Sequence, residues 1–146
     1  MSDKKKYLDI VSHYEACLEK HGDTHLGVDW PSQKDADKRY KVMLDVIKFS
    51  PELINQPSLL DFGCGTSHLY DTLLTNNEFN CEYSGLEISE AFYNVSRLKN
   101  PSVRYLHGDV LDSKFTLPDF DFIVLNGVFT EKRNLTNREM KSYFER

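Results

Sequence analysis

The sequence predicts an α/β fold in which a parallel sheet carries helices on both faces and is preceded by two N-terminal helices. Two observations predict it. After Pro57, short apolar runs alternate with stretches of helical periodicity, whereas the residues before Pro57 show only helical patterns. Strands that alternate with helices are joined by right-handed crossovers, which make neighbouring strands parallel. The length of 146 residues fits one domain with a core of its own.

The first two elements are helices. From Asp3 to about Lys20, apolar residues recur at steps of three and four, which is the period of an amphipathic helix, and Gly22 is a typical end. A loop rich in turn-forming residues follows. Ser32, with an acidic residue three positions later, resembles a helix N-cap, and the second helix is predicted to run to about Phe49.

Strands and helices then alternate. The predicted strands are, in order, SLLDF, CEYSGLEI, SVRYLHGD and DFDFIVLN. The predicted helices between and after them are SHLYDTLLTNN, SEAFYNVSRLKN with Ser89 as its cap, and a last one that opens at Thr136 with Glu139 three residues on. This order of elements is Rossmann-like.

Composition excludes several classes of function. The formal net charge of −5 argues against a broad phosphate-binding surface, and the run Lys4–Lys6 is interpreted as a solvated helix start. Cys17, Cys64 and Cys81 lack the C-x-x-C spacing of zinc sites, so reduced structural thiols and no metal are expected. Neither a membrane-spanning run nor a signal-like start is present, which predicts a cytoplasmic protein without a membrane partner.

The segment LLDFGCGTS joins the first strand to a helix and is the first candidate for a binding site. Gly63 and Gly65 would let the backbone turn sharply and approach a ligand closely. Acids end three successive strands, at Asp61, Glu87 and Asp109. Ligands of open parallel sheets bind beyond the carboxyl ends of the strands, and an acid at the end of the second strand can accept hydrogen bonds from ribose hydroxyls. A glycine-rich turn without a ligand is the alternative.

From Leu59 to about Phe129 the sequence resembles the class I S-adenosylmethionine-dependent methyltransferases, with four consecutive motifs in the family's order. The resemblance implies that Asp61 and the glycine-rich turn, in which Cys64 lies between the two glycines, surround the methionine part of S-adenosylmethionine. It also implies that Glu87 holds the ribose hydroxyls and that Ile88 lies against the adenine.

The later motifs complete this comparison. By resemblance, Asp109 would accept a hydrogen bond from the adenine amino group, Val110 would lie on the ring face, and Asn126 and Gly127 would lie near the methyl group. The implied activity is methyl transfer, with S-adenosylhomocysteine as the product. Ser67 stands where many members have a third glycine, which is a common variation.

The acceptor is predicted to be a small molecule. Asn126 is followed by GVF and not by the Pro-Pro-aromatic sequence of enzymes that methylate amino groups of bases or of glutamine. A nucleic-acid partner is therefore not expected. The sequence identifies no convincing general base.

The N-terminal segment contributes two further candidates for the cofactor site. The planar guanidinium of Arg39 could clamp the methionine carboxylate, and Trp30 lies in the region that often closes over the cofactor in this family. Alternatively, Arg39 is a surface residue of its helix and Trp30 merely packs. His25, His68 and His107 are interpreted as hydrogen-bonded neighbours of the site.

The predicted organisation is an N-terminal helical cap segment, residues 1–56, and a cofactor-binding Rossmann-like half domain, residues 57–146, within one structural domain. The family's sheet normally has seven strands, whereas about four are found here, so a C-terminally truncated domain is expected. The fourth strand, in FIVLNGVF, would then be an exposed edge, which predicts self-association through that edge.

Two other functions stay open. A nicotinamide-dependent oxidoreductase shares the glycine-rich turn and the second-strand acid, but His68 occupies the place of its third glycine. A module that binds S-adenosylmethionine without catalysis is the other alternative.

Overall fold

Two helices precede the sheet, as predicted. The computed structural model describes residues 6–131 and 133–146. Helix α1 spans Leu8–His21 and helix α2 spans Gln33–Lys48. The predicted start of the first helix at Asp3 lies outside the described residues. Gly22 ends α1 with a positive φ of 64°, and the Ser32 side chain accepts a hydrogen bond from the backbone N–H of Asp35 at the start of α2.

Four parallel strands form one sheet, which confirms the predicted α/β, Rossmann-like fold. The strands are β1 (Ser58–Phe62), β2 (Glu82–Glu87), β3 (Arg104–His107) and β4 (Phe122–Val124). Their order across the sheet is β3-β2-β1-β4, and all three pairings are parallel. This order brings the carboxyl ends of β1 and β2 to the centre of one edge, where a ligand of such a sheet is expected. Strands β3 and β4 are shorter than the sequence predicted.

The helices that follow the strands are α3 (His68–Thr75), α4 (Glu90–Lys99) and α5 (Asn137–Glu145). Two predicted N-caps are confirmed. Ser89 accepts a hydrogen bond from the N–H of Phe92, and Thr136 forms a complete capping box with Glu139. Such caps satisfy N–H groups that have no partner within the helix.

Helix α2 shares its core with the sheet. Ala36, Tyr40 and Leu44 on α2 are buried with Leu59 of β1 and Val124 of β4 in one apolar cluster. The segment before residue 57 therefore stabilises the sheet directly, because the burial of apolar side chains is the main favourable term in folding.

The described part of the chain contains no helix long and apolar enough to span a membrane. Cys17, Cys64 and Cys81 are all free thiols.

Candidate functional site

The turn after β1 has a backbone that requires glycine. Gly63 and Gly65 have φ values of 74° and 57°, in the left-handed region that glycine enters without a steric cost. A Cβ at Gly63 would lie 2.9 Å from Cγ2 of Val128, and one at Gly65 would lie 3.2 Å from Cγ1 of Val28. The two glycines thus allow the loop after β4 and the segment before α2 to approach the turn.

The backbone of Ser67 is also in the left-handed region, with φ of 68°, and the residue is buried. Its hydroxyl donates to Oγ of Ser96 on α4 at 2.9 Å and lies 2.7 Å from the Tyr105 hydroxyl oxygen. Ser96 in turn donates to the carbonyl oxygen of Gly65 at 2.7 Å. This buried network accounts for a serine where many members of the resembled family have glycine, because the side chain fixes the turn against α4.

Glu87, at the end of β2, is buried and fixes the same turn from the other side. Its carboxylate accepts hydrogen bonds from the backbone N–H groups of Gly65 and Ser89, each at 3.0 Å. Burial raises the pKa of this carboxyl group. A carboxylate offers about four acceptor positions, so Glu87 can accept from further donors besides these two.

Asp61, at the end of β1, is buried beside Glu87. Its carboxylate accepts a hydrogen bond from the Tyr83 hydroxyl at 2.7 Å. Burial raises the pKa of Asp61 to about 7, against the effect of that hydrogen bond. Two buried carboxyl groups at neighbouring strand ends are suited to a ligand that carries positive charge and hydroxyl groups.

A cavity of about 230 Å³ opens over these groups. Its wall combines one face of α1, the segment Val28–Trp30, the turns after β1, β2 and β4, and Tyr143 of α5. Asp61, Glu87 and both glycines of the turn line it. The cavity therefore lies beyond the carboxyl ends of the parallel strands, at the position expected for a ligand.

Asn126, just after β4, lines this cavity with buried polar atoms. Within residues 6–131 and 133–146, neither its Oδ1 nor its Nδ2 has a hydrogen-bond partner. Because a buried amide without partners is costly, such a group at a cavity wall indicates a ligand that would satisfy it. The residues present therefore fit a polar ligand.

Most of the predicted site residues come together here. Lining the cavity are Trp30, Asp61, Gly63, Cys64, Gly65, Glu87, Ile88 and Asn126. Gly127, predicted to lie near the methyl group, lines it as well.

Three predicted residues do not line the cavity. The Arg39 guanidinium lies over the Trp30 ring, 4.7 Å from its centroid, and not at the turn. The carboxylate of Asp109 accepts a hydrogen bond from the hydroxyl of Tyr7, which comes between Asp109 and the cavity. Val110 is 38% exposed at the surface.

The three histidines that the sequence analysis interpreted as neighbours of the site all make hydrogen-bond contacts in or near it. Nδ1 of His25 lies 2.6 Å from the carbonyl oxygen of Trp30 and fixes that loop. His68 lines the cavity, and its Nε2 lies 2.7 Å from a carboxylate oxygen of Asp23. Nε2 of His107 lies 3.2 Å from the carbonyl oxygen of Ile88.

Sequence reasoning missed the contribution of the N-terminal helix. Tyr7, Ile10, Val11 and Tyr14 line the cavity, and they recur at the three and four residue steps that define one face of a helix. That spacing was the available signal, but an apolar face of this kind usually indicates core packing. Tyr143 was also missed, and it stacks on Tyr7 with ring centroids 5.2 Å apart.

Comparison with known proteins agrees with this geometry. Residues 60–143 match the family model described as a methyltransferase domain, which covers more than half of the chain. No curated protein matches the chain significantly.

Solved structures show the same fold. Phosphoethanolamine N-methyltransferase 1 of Haemonchus contortus, solved with phosphoethanolamine and S-adenosylhomocysteine, matches with a TM-score of 0.62 and 16% identity, over 99% of this chain and 29% of that one. The YcgJ protein of Bacillus subtilis matches with a TM-score of 0.50 and 16% identity, over 75% of this chain and 45% of that one.

A putative sarcosine dimethylglycine methyltransferase of Galdieria sulphuraria matches with a TM-score of 0.50 and 17% identity, over 73% of this chain and 40% of that one. The chain thus spans less than half the length of each of these three structures. The match to the family model covers the turn after β1, the acids after β1 and β2, and the cavity residues after β4. By this match and this fold, the chain belongs to the methyltransferase domain family, as its motifs predicted.

Proposed function

We propose that the chain binds S-adenosylmethionine in this cavity and transfers its methyl group to a small-molecule acceptor, with S-adenosylhomocysteine as the product. The observation that carries the proposal is the pairing of Glu87 with the glycine-rich turn at the wall of the cavity. The same cavity offers the unpartnered amide of Asn126.

Each group then has a role that follows from its chemistry. Glu87, held by two backbone N–H groups, would accept hydrogen bonds from the ribose hydroxyls at its remaining positions. Ile88 would lie against the adenine. Asp61 would attract the positively charged end of the methionine part, and Gly63, Cys64 and Gly65 would form the floor beneath it.

Three sequence-based assignments, those of Asp109, Val110 and Arg39, require a change in the protein. Asp109 does not line the cavity, so it would accept from the adenine amino group only after a change that opens it to the cavity, and Val110 would have to turn from the surface. Arg39 would leave the ring of Trp30 to reach a methionine carboxylate. We propose that Trp30 acts directly at the cavity and that Arg39 supports it.

When bound, the cofactor supplies a methyl group on a positively charged sulfur. The chain has to align an acceptor with that group and to exclude water. The face of α1 and Trp30 cover the cavity with apolar and aromatic side chains, which serves the second task. Asn126 lies where it can bind either the cofactor or the acceptor.

Calorimetric titration of the purified chain tests this proposal. We expect S-adenosylhomocysteine to bind at one site and NAD, the cofactor of the alternative oxidoreductase, not to bind. Mass spectrometry of small-molecule acceptor mixtures, incubated with the chain and S-adenosylmethionine, then tests transfer. Binding of NAD with no binding of S-adenosylhomocysteine would overturn the proposal, whereas S-adenosylhomocysteine binding without transfer to any acceptor would favour a binding module.

Three further expectations concern the location and the partners of the chain. A cytoplasmic location and the absence of a nucleic-acid partner remain predictions from the sequence. Self-association through β4 also remains a proposal, supported by the position of this strand at the edge of the sheet and by the partly exposed side chains of Ile123 and Leu125.

A further inference from the structure

The cavity has two chemically different ends. Along α1, Tyr7 and Tyr14 both line it and are separated by seven residues, or roughly 10 Å along the helix. Tyr7 marks one end, where its ring stacks on that of Tyr143 and its hydroxyl donates a hydrogen bond to Asp109. Tyr14 marks the other end, where the pKa of its hydroxyl rises to about 12 because of burial first and the carboxylates of Asp29 and Glu131 next.

The Tyr14 end contains none of the groups that the proposed cofactor would use. Ile88 and Glu87 serve the ribose and adenine in the proposed function, and Asp61 and the turn serve the methionine part. Tyr14, Asp29 and Glu131 line the same cavity without any such assignment. The space between them is therefore available to a methyl acceptor.

The charge of this space has one sign. The carboxyl groups of Asp29, Asp61, Glu87 and Glu131 line the cavity, and no lysine or arginine does so within the part of the chain that the structure describes. Burial raises the pKa of Asp61 and of Glu87, so the negative charge resides chiefly on Asp29 and Glu131. A cleft lined by charges of one sign concentrates ions of the other sign. Two of the four carboxylates, those of Asp29 and Glu131, lie at the acceptor end.

Aromatic side chains accompany these carboxylates. Tyr14, Trp30 and Tyr40 line the cavity, and the ring of Trp30 already holds one cation, the guanidinium of Arg39 at 4.7 Å. Aromatic faces combined with carboxylates form the usual environment of a bound ammonium group. Both carboxylates would repel an anionic acceptor, and a neutral acceptor would gain no charge attraction from either of them.

Neighbouring groups hold both carboxylates. Asp29 has a φ of 60°, and its Oδ2 lies 2.7 Å from Nε2 of His13. Glu131 accepts a hydrogen bond from the N–H of Arg133 at 3.1 Å, and the guanidinium of Arg133 lies 4.0 Å from it. Arg133 does not line the cavity, so the acidic character of the interior is retained.

From this arrangement we infer that the acceptor is a small amine, bound as a cation between the aromatic rings of Tyr14 and Trp30 and the carboxylates of Asp29 and Glu131. The inference rests on the proposed function. The ammonium group first gives a proton to one of the two carboxylates. The lone pair of the nitrogen then forms the new N–C bond as the S–C bond breaks and its electron pair returns to sulfur, so the product is a methylated ammonium ion and a neutral thioether.

The test compares probes that differ mainly in charge. Choline and 3,3-dimethyl-1-butanol have the same shape, but only choline carries a positive charge, and 3,3-dimethylbutanoate supplies an anion. Each is titrated by calorimetry into the chain saturated with S-adenosylhomocysteine. We expect choline to bind at least about tenfold more tightly than the alcohol, and the anion to bind least. Ethanolamine and ethylene glycol repeat the comparison for a smaller acceptor.

Two variants assign the effect to the acceptor end. Glu131→Gln and Asp29→Asn remove one charge each with little change of shape, and each should reduce choline or ethanolamine binding about tenfold while the affinity for S-adenosylhomocysteine stays within about twofold. Asp37→Asn, at an exposed position of α2 outside this cavity, is the matched control. All titrations contain a chelator, because donor atoms of His13, Cys17 and Asp29 lie within 4.8 Å of one another and could bind a metal ion.

The outcomes separate the two proposals. Failure of S-adenosylhomocysteine to bind would overturn the proposed function itself. Binding of S-adenosylhomocysteine, together with no preference for either cation over its neutral analogue, would overturn the amine acceptor and leave the methyltransferase. Preferential binding of the anion would do the same.

Discussion

The backbone N–H of Gly65 donates a hydrogen bond to the carboxylate of Glu87 at 3.0 Å, and the two residues, 22 positions apart in the sequence, lie at the carboxyl ends of neighbouring strands. The bond connects the two parts of the site that the motifs identified separately, the glycine-rich turn and the acid after the second strand. A substitution in the glycine-rich turn should therefore disturb Glu87, and a substitution of Glu87 should disturb the turn.

Replacement of Gly65 by alanine tests the turn. With φ of 57° and Val28 Cγ1 at 3.2 Å from the added Cβ, we expect a loss of about 1 to 2 kcal/mol of stability and at least about tenfold weaker binding of S-adenosylhomocysteine. Gly22→Ala is the matched control, because Gly22 has φ of 64° with nothing within 4 Å of its Cβ. The control should lose similar stability and keep its affinity; equal affinities in both variants would contradict this role of the turn.

Asp61 should make stability depend on pH. Its pKa is 3.8 in the unfolded chain and about 7 in the folded protein, so between these values the folded state holds a proton that the unfolded state has released. The contribution of Asp61 to the free energy of unfolding is therefore largest at low pH and falls as pH rises to about 7.

Replacement of Asp61 by asparagine removes this titration but keeps an acceptor for the Tyr83 hydroxyl. The free energy of unfolding of the variant, minus that of the parent chain, should increase by about 2 to 4 kcal/mol from pH 5 to pH 8. Urea unfolding at both pH values measures this difference. A stability difference between the two proteins that is the same at both pH values would contradict the raised pKa.

The Ser67 hydroxyl should stabilise the protein, whereas its left-handed backbone should be a source of strain for any residue other than glycine. Ser67→Gly loses the hydrogen bonds to Ser96 and Tyr105, whereas Ser67→Ala loses the same bonds and keeps the strained left-handed backbone. We expect both variants to be less stable, by about 1 to 3 kcal/mol, with alanine worse than glycine by roughly 1 kcal/mol. Thermal unfolding measures the order, and a more stable alanine variant would rule out backbone strain at this position.

The Tyr7 hydroxyl occupies the donor position that the family resemblance gives to the adenine amino group at Asp109. If adenine uses Asp109, Tyr7→Phe should tighten the binding of S-adenosylhomocysteine by roughly three- to tenfold, because a competing donor is removed. The gain should disappear when Asp109→Asn is added. Unchanged affinity in Tyr7→Phe would show that the Tyr7 hydroxyl does not compete with the cofactor for Asp109.

The edge strand β4 provides a test of self-association. Ile123 is 46% exposed on this strand, and an exposed apolar edge can pair with another chain. Sedimentation velocity should show dimers or larger species that dissociate in Ile123→Lys, since charge on an edge strand opposes pairing. A parent chain that sediments as a monomer at all concentrations would contradict the prediction.

The order of elements and the floor of the site could be predicted from the sequence because both depend on local patterns. The turn at Gly63 and Gly65 and the acids at Asp61 and Glu87 follow from residue type and strand position. The hydrogen bonding of Asp109 could not be predicted, since its partner is the Tyr7 hydroxyl, 102 residues earlier in the chain.

The part of the cavity wall that α1 forms could not be predicted from local sequence patterns either. The spacing of Tyr7, Ile10, Val11 and Tyr14 indicates a helix face, but only the tertiary packing decides whether that face meets a core or a cavity. Arg39 illustrates the same limit, because its contact with the Trp30 ring depends on a loop whose conformation is fixed by His25.

The most direct measurement is the affinity of S-adenosylhomocysteine for Glu87→Gln, determined by calorimetry beside Glu82→Gln. Glu82 begins the same strand and is exposed, so the control removes the same charge without touching the cavity. We expect at least about tenfold weaker binding in Glu87→Gln, because a carboxylate that accepts from hydroxyl groups is lost, and no change in Glu82→Gln. Equal binding by the parent chain and both variants would contradict it.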